Sequence, residues 1–143
     1  MTPKWRHRFL KLADHVSLWS KDPSTKVGAV IVDSDQRIIS LGYNGFARGI
    51  NDNMEDRSHK YMKVIHAEMN AILYARENLK GCSIFITNIP CSNCMASIIQ
   101  AGIVSIDYYR PIRNYQERWF HNIRCAKNML EEAGYKPRKK DPR

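Results

Sequence analysis

Ser83-Ile84-Phe85-Ile86-Thr87-Asn88-Ile89-Pro90-Cys91-Ser92-Asn93-Cys94-Met95-Ala96-Ser97-Ile98-Ile99-Gln100-Ala101-Gly102-Ile103-Val104-Ser105-Ile106-Asp107-Tyr108-Tyr109 decides the fold. Ser83 to Thr87 reads as a buried strand, Cys91 to Ala101 as a helix stopped by Gly102, and Ile103 to Tyr109 as the next strand. Upstream, Trp5 to Trp19 carries the apolar spacing of an amphipathic helix, broken by Lys21-Asp22-Pro23-Ser24. Val27 to Val32 and Arg37 to Gly42 form a hairpin around the polar turn Asp33-Ser34-Asp35-Gln36. Residues 43–63 read as a long polar loop, and Val64 to Asn78 as a helix. Tyr115 to Ala133 is the last long helix, stopped by Gly134, and Tyr135 to Arg138 adds an edge strand. This order predicts an α/β fold in one domain spanning 1–143, with helices on both faces of the sheet.

Two short motifs carry the chemistry: His66-Ala67-Glu68 and Pro90-Cys91-Ser92-Asn93-Cys94. One imidazole and two thiolates give zinc three protein ligands, and a tetrahedral ion then keeps one position for water. Both motifs fall at helix starts, where unpaired N–H groups and the positive end of the dipole favour thiolate over thiol. Glu68 is placed to manage the protons of that water. A closed four-ligand site completed by Cys82 or His59 is the competing reading, and it leaves Glu68 without a task.

The chain has 143 residues, 43% hydrophobic and 26% charged, which fits one compact domain with a single main core. No apolar run approaches the ~20 residues that span a bilayer, and Met1 to Arg6 lacks the apolar segment of a signal peptide. These features predict no membrane association and a cytoplasmic location (the host's cytoplasm for a viral protein), where thiols stay reduced. Cys82 and Cys125 read as buried thiols. A net charge of +9 and a pI near 9.6 imply anionic partners. A nucleotide accounts for part of that charge, and a solvated basic C-terminal run from Lys136 to Arg143 for much of the rest.

H-x-E followed by P-C-x-x-C is the signature of zinc-dependent nucleobase deaminases. Beyond it, three stretches resemble the deoxycytidylate (dCMP) deaminases of the cytidine deaminase-like superfamily. They are Ser20-Lys21-Asp22-Pro23-Ser24-Thr25-Lys26-Val27-Gly28-Ala29-Val30, Gly42-Tyr43-Asn44-Gly45-Phe46 and His66-Ala67-Glu68-Met69-Asn70-Ala71-Ile72. The resemblance runs from about Ser20 to Gln100 and more loosely onward. It implies a three-layer α/β/α fold with a central mixed five-stranded sheet, one catalytic zinc per chain, Glu68 as the proton carrier, and dCMP as substrate. The product would be dUMP, the precursor for thymidylate synthesis.

The resemblance also implies that Asn44 binds the deoxyribose, with Ala67 in the substrate pocket. Its phosphate-binding arginine falls nearest Arg113, with Arg110 as the alternative; Ser24, Thr25 and Lys26 stand where they can add donors. Such enzymes are often homohexamers, activated by dCTP and inhibited by dTTP with Mg2+, which makes Phe46, Arg48, Asn51 and Asp52 allosteric candidates. Relatives that hold a second, structural zinc use Cys and His in the region from Gly49 to Val64, where this chain has only His59.

The alternative is a polynucleotide deaminase acting on tRNA adenosine or single-stranded DNA cytosine, which the zinc motifs and basic charge also fit. Nucleic-acid binding would need aromatic stacking platforms, and Trp119-Phe120 is the one aromatic cluster near a chain end, where it reads equally as core. Free-nucleoside deaminases resemble a Cys-Ala-Glu motif, not His66-Ala67-Glu68. A non-catalytic zinc module would not need Glu68.

Overall fold

The computed structural model describes residues 1–52, 57–109, 119–136 and 138–140. Helix α1 (Pro3–Ser17) starts where Thr2 caps it and Pro3 needs no N–H partner; its buried side is Phe9, Leu10, Ala13 and Val16. Strands β1 (Gly28–Val32) and β2 (Ile38–Tyr43) form the hairpin, and β5 (Ser83–Ile86), helix α4 (Ser92–Gln100) and β6 (Ser105–Tyr109) follow the expected strand–helix–strand pattern. Helix α5 (Phe120–Glu132) precedes β7 (Arg138–Lys140). Gly102 and Gly134 both take positive φ where their helices end, as stop residues should.

These strands form one five-stranded sheet in the order β2-β1-β5-β6-β7. β1 runs antiparallel to both neighbours, while β5, β6 and β7 are parallel. Side chains alternate between the two faces, as the pleat requires. Val30, Val32, Phe85 and Tyr109 meet Phe9, Leu10 and Ala13 of α1. Ala29, Ile31, Ile84, Ile86, Ile106 and Tyr108 join the cluster of Met95 and Ile98 on α4 and Ile123, Ala126 and Leu130 on α5. The three-layer arrangement and the mixed five-stranded sheet are as expected.

Four expectations change. The segment 43–63 contains helix α2 (Arg57–Lys63) and, with the residues after it, a small antiparallel sheet of β3 (Gly45–Phe46) and β4 (Val64–Ile65). β4 takes two β-branched residues from the predicted start of the zinc helix, so α3 spans only Ala67–Tyr74. Beyond it, Asn78 accepts the N–H of Lys80 and turns the chain toward β5. Trp19 lies outside α1 and packs edge-on against His15 and Tyr43. β7 falls at 138–140, later than predicted. Of the predicted last helix, residues 115–118 lie outside the described residues.

Two glycines set how closely the helices approach. A Cβ on Gly28 would stand 2.1 Å from the Ala13 carbonyl oxygen of α1, and one on Gly42 would stand 2.2 Å from that of Ala67 and 2.4 Å from the Ala71 nitrogen of α3. Backbone therefore lies on backbone at both places, and α3 is seated on β2 by the absence of a side chain.

Candidate active site

Strand directions gather the site at one end of the sheet. The start of β1 lies beside the end of β5, where the Thr87 N–H donates to the Gly28 carbonyl and its hydroxyl accepts from the Gly28 N–H. β2 ends there too, since Gly28 pairs with Tyr43, and β6 ends there beside β5. In parallel sheets this carboxyl edge is where ligands bind. The segments leaving or entering it are 20–27, 43–44 and 87–91.

His66 and Cys91 are each the N-cap of a helix, with extended backbone, and not members of its first turn. Cys91 caps α4 with its own sulfur, which accepts the Cys94 N–H at 3.5 Å. The free Ser92 N–H at that end is taken by Asn122 of α5 at 2.7 Å. His66 makes no side-chain cap and turns its ring to the cysteines instead. Its Nδ1 lies 3.4 Å from Cys91 Sγ and 3.5 Å from Cys94 Sγ, and the three ligand atoms lie within 4.8 Å of one another. A tetrahedral zinc with Zn–S near 2.3 Å and Zn–N near 2.0–2.1 Å would space sulfur and nitrogen by roughly 3.5 Å, so the donor set and its spacing fit the ion. Cys82 and His59 are not part of this cluster. Cys82 is buried, whereas Cys125 is exposed, against expectation.

Electrostatics agree with metal binding. Cys91 is drawn down to about 4 by the bond from the neighbouring Cys94 thiol and by His66. Cys94 is held up by that same contact and by burial, so the two sulfurs share one proton. A divalent cation removes the repulsion that keeps it there. His66 is raised chiefly by its bond to Cys91. Glu68, the second residue of α3, is 4% exposed, and burial pushes its carboxyl up. A buried carboxyl that holds its proton more tightly than usual suits proton transfer. Ala67 is fully buried beside it.

Asn44, Ser24, Thr25 and Lys26 come together in a second cluster at the same end. Asn44 is 6% exposed. Its Oδ1 accepts the Val27 N–H at 2.8 Å, and its Nδ2 donates to the Thr25 carbonyl at 2.8 Å and to Asp22 Oδ2 at 3.4 Å. Lys26 Nζ donates to the Ser20 carbonyl at 2.7 Å. The sequence assigns no role to two members of this cluster, Asp22 and Lys60; Asp22 lies within the family-like stretch 20–30, but nothing in the spacing marks Lys60. Phe46 and Arg48 line a groove of about 700 Å³ with Trp19, Tyr43, Asn70 and Tyr74. Arg48 also donates to the Tyr74 hydroxyl, at 3.1 Å from Nε. Asp52 instead pairs with Lys21 at 2.5 Å on the surface, and Asn51 is exposed next to it. Arg110 and Arg113 lie outside the described residues. Phe120 is exposed and Trp119 half-buried, so only the latter joins the core. No helix among the described residues is long and apolar enough to cross a membrane.

The fold and the three-ligand centre define a class, and the sequence falls within it: the chain belongs to the family of the cytidine and deoxycytidylate deaminase zinc-binding region, which matches residues 3–110. Among relatives, it is 44% identical over 136 residues to an uncharacterized deaminase in the luxG 3′ region of Aliivibrio fischeri, covering 94% of this chain and 92% of that one. It is 41% identical over 139 residues to a probable deoxycytidylate deaminase of Caenorhabditis elegans, covering 91% of this chain but 66% of the other, just under two thirds of its length. Among solved structures, the dCMP deaminase of cyanophage S-TIM5 in complex with dCMP and dUMP superposes with a TM-score of 0.81 at 28% identity, over 98% of this chain and 99% of that one.

Proposed function

We propose that the protein is a deoxycytidylate deaminase that hydrolyses dCMP to dUMP and ammonia, supplying dUMP for thymidylate synthesis. The observation that carries this reading is the buried Glu68 beside the His66, Cys91 and Cys94 donor set, on the edge of the sheet where Asn44 and the 24–26 turn also gather. The complex of the cyanophage enzyme with dCMP and dUMP supports the choice of substrate.

His66, Cys91 and Cys94 would hold the ion. Zinc, when bound, supplies a Lewis acid that brings the pKa of a water toward neutrality. Glu68 takes a proton from the attacking water and delivers it to N3 of the cytosine ring; it then takes the proton of the new C4 hydroxyl and passes it to the 4-amino group, so that the C4 carbonyl forms as the C–N bond breaks and ammonia leaves. One water is consumed and one ammonia released, and Glu68 ends in its starting state. Burial around Glu68 excludes bulk water from these transfers.

Both hydrogens of the Asn44 amide already have acceptors, so a sugar hydroxyl would donate to the remaining lone pair on Oδ1. Ser24, Thr25 and Lys26 would line the 5′-phosphate, with Arg113 or Arg110 supplying its main cation. Regulation by dCTP and by dTTP with Mg2+ is part of this proposal, and the groove at Phe46 and Arg48, with aromatic faces and guanidinium groups, supports it. A homohexamer is part of the same proposal, and self-association would cover the exposed Met62, Leu73, Val104 and Phe120. A cytoplasmic location completes the reading.

The test measures ammonia release from dCMP, deoxycytidine, dCTP and single-stranded DNA side by side. Turnover of dCMP well above deoxycytidine is expected, and Arg113→Ala should raise the KM for dCMP roughly ten- to a hundredfold without a matching change for deoxycytidine. Activity on polymer alone would replace this reading with that of a polynucleotide deaminase.

A further inference from the structure

Lys60 and Asp22 form an ion pair that lies in neither metal motif. Nζ stands 2.8 Å from Asp22 Oδ1, and the two side chains are only 7% and 4% exposed. Lysine is almost never buried this far without a partner. The same carboxylate oxygen accepts the N–H of Ser24 at 2.8 Å and of Thr25 at 3.1 Å, and the other oxygen faces the Asn44 amide at 3.4 Å. Ser20 closes the ring of contacts, donating its hydroxyl to the Asn44 carbonyl at 2.8 Å and accepting the Asp22 N–H at 3.2 Å. Ser24, Thr25 and Asn44, which share this carboxylate with Lys60, lie on the two segments that the proposed function assigns to phosphate and sugar.

Lys60 approaches from a different element. It sits on α2, which leads through β4 into His66. Tyr61 and Met62 of that helix are exposed, and among the described residues α2 contributes nothing to either apolar cluster. What this helix inserts into the molecule is an ammonium group, and it inserts it at the substrate-side turn.

We propose that Lys60 is a positioning residue for nucleotide recognition: through Asp22 it fixes the Ser24–Thr25 turn and the Asn44 carboxamide, and it ties both to the chain segment that delivers His66. The inference rests on the reading of this end of the sheet as a nucleotide deaminase site. Its role is indirect, since among the described residues the Lys60 ammonium hydrogen-bonds to Asp22 and to none of the groups assigned to the nucleotide.

The experiment compares zinc-loaded wild type, Lys60→Met and Lys60→Arg in the full chain, measuring zinc content, melting temperature, kcat and KM for dCMP, and hydrogen exchange at the Ser24 and Thr25 amides. Lys60→Met should keep its zinc and raise KM roughly tenfold or more, the scale of a lost charged hydrogen bond, with kcat changed much less. The Ser24 and Thr25 amides should exchange faster, and Lys60→Arg should recover most of the loss. If Lys60→Met fails to fold, the neutral double variant Lys60→Met with Asp22→Asn takes its place, because removing both charges avoids leaving one buried alone; it should fold and still show a raised KM. A lower melting temperature with unchanged KM overturns the proposal, as does loss of zinc along with the KM change. Wild type that does not turn over dCMP sinks the functional reading first; amide exchange then decides alone whether Lys60 holds the turn.

Discussion

The metal centre and the clasp around Asp22 occupy the same end of the sheet but are built in opposite ways. His66, Cys91 and Cys94 come from two helix starts, each a contiguous motif, and short backbone segments aim all three donors at one point. The clasp draws Ser20 and Asp22, Asn44, and Lys60 from three separate segments and joins them by hydrogen bonds. Local backbone geometry places the donors within each motif, and only the docking of α3 and α4 brings the two motifs together. The clasp exists only after α2, the β1 entrance and the end of β2 have docked. The difference separates the proposed chemistry from the proposed recognition: the metal donors sit within two short motifs, and the groups proposed to hold sugar and phosphate are assembled from a distance.

The largest effect that can break this division is loss of the metal. Cys91→Ser should lose most of its zinc and with it nearly all turnover, measured by metal analysis beside ammonia release. The motif reading also requires the remaining fold to persist, so circular dichroism of that variant should stay close to wild type. Next, Glu68→Gln should keep the zinc and lower kcat by roughly 10²–10⁴, the range for a lost acid–base group. Near-normal turnover in that variant would mean that another group moves the protons.

The clasp makes a different kind of claim, one of stability and its pH dependence. Burial pushes the Asp22 carboxyl up, but Lys60 and the N–H groups of Ser24 and Thr25 draw it further down, leaving it below its usual value of 3.8. The folded pKa is depressed, so the native state binds fewer protons than the unfolded one in this window. The stabilisation is therefore complete above about pH 4 and is lost as the pH falls through the folded value. Asp22→Asn strands the Lys60 charge and should cost about 3–5 kcal/mol at neutral pH. It should also flatten the fall in stability below pH 4, read from denaturant midpoints across pH.

Gly42→Ala sharpens the link between β2 and the zinc helix. Its new Cβ meets backbone of Ala67 and Ala71, which cannot rotate away. Overpacking of this kind costs about 1–3 kcal/mol, and a shifted α3 should weaken zinc retention as well, which a chelator competition would read. The smallest effect belongs to Lys21→Ala. That lysine also pairs with an aspartate, Asp52, but its side chain is 72% exposed. Solvent screens such a pair, and the melting temperature should not move measurably. A large loss there would erase the contrast with the buried Lys60–Asp22 pair.

Legibility in the sequence followed the same division. Buried runs such as Val30-Ile31-Val32 and Ile84-Phe85-Ile86 announced their strands, and Gly102 and Gly134 announced two helix ends. Helix α2 stayed hidden because its pattern is inverted: Lys60 is the buried member while Tyr61 and Met62 face solvent. No count of apolar spacing finds a helix anchored by a charge. β4 reads as helix in the sequence because Val64 and Ile65 continue the apolar period of α3, and only their pairing with Phe46 and Gly45 makes them extended. Propensity at such short segments yields to tertiary pairing.

By itself, the sequence determined the α/β layering, the two motifs that carry the candidate zinc ligands and Glu68, and the family. Each of these rests on neighbours in the chain, where periodicity and helix-start geometry place side chains directly. The tertiary structure alone decided that His66 and Cys91 act as caps, that Gly42 seats α3 on β2, and that Lys60 reaches Asp22. Those features depend on distances between elements remote in sequence, and such distances are fixed only when the sheet closes its register and the helices settle onto its two faces.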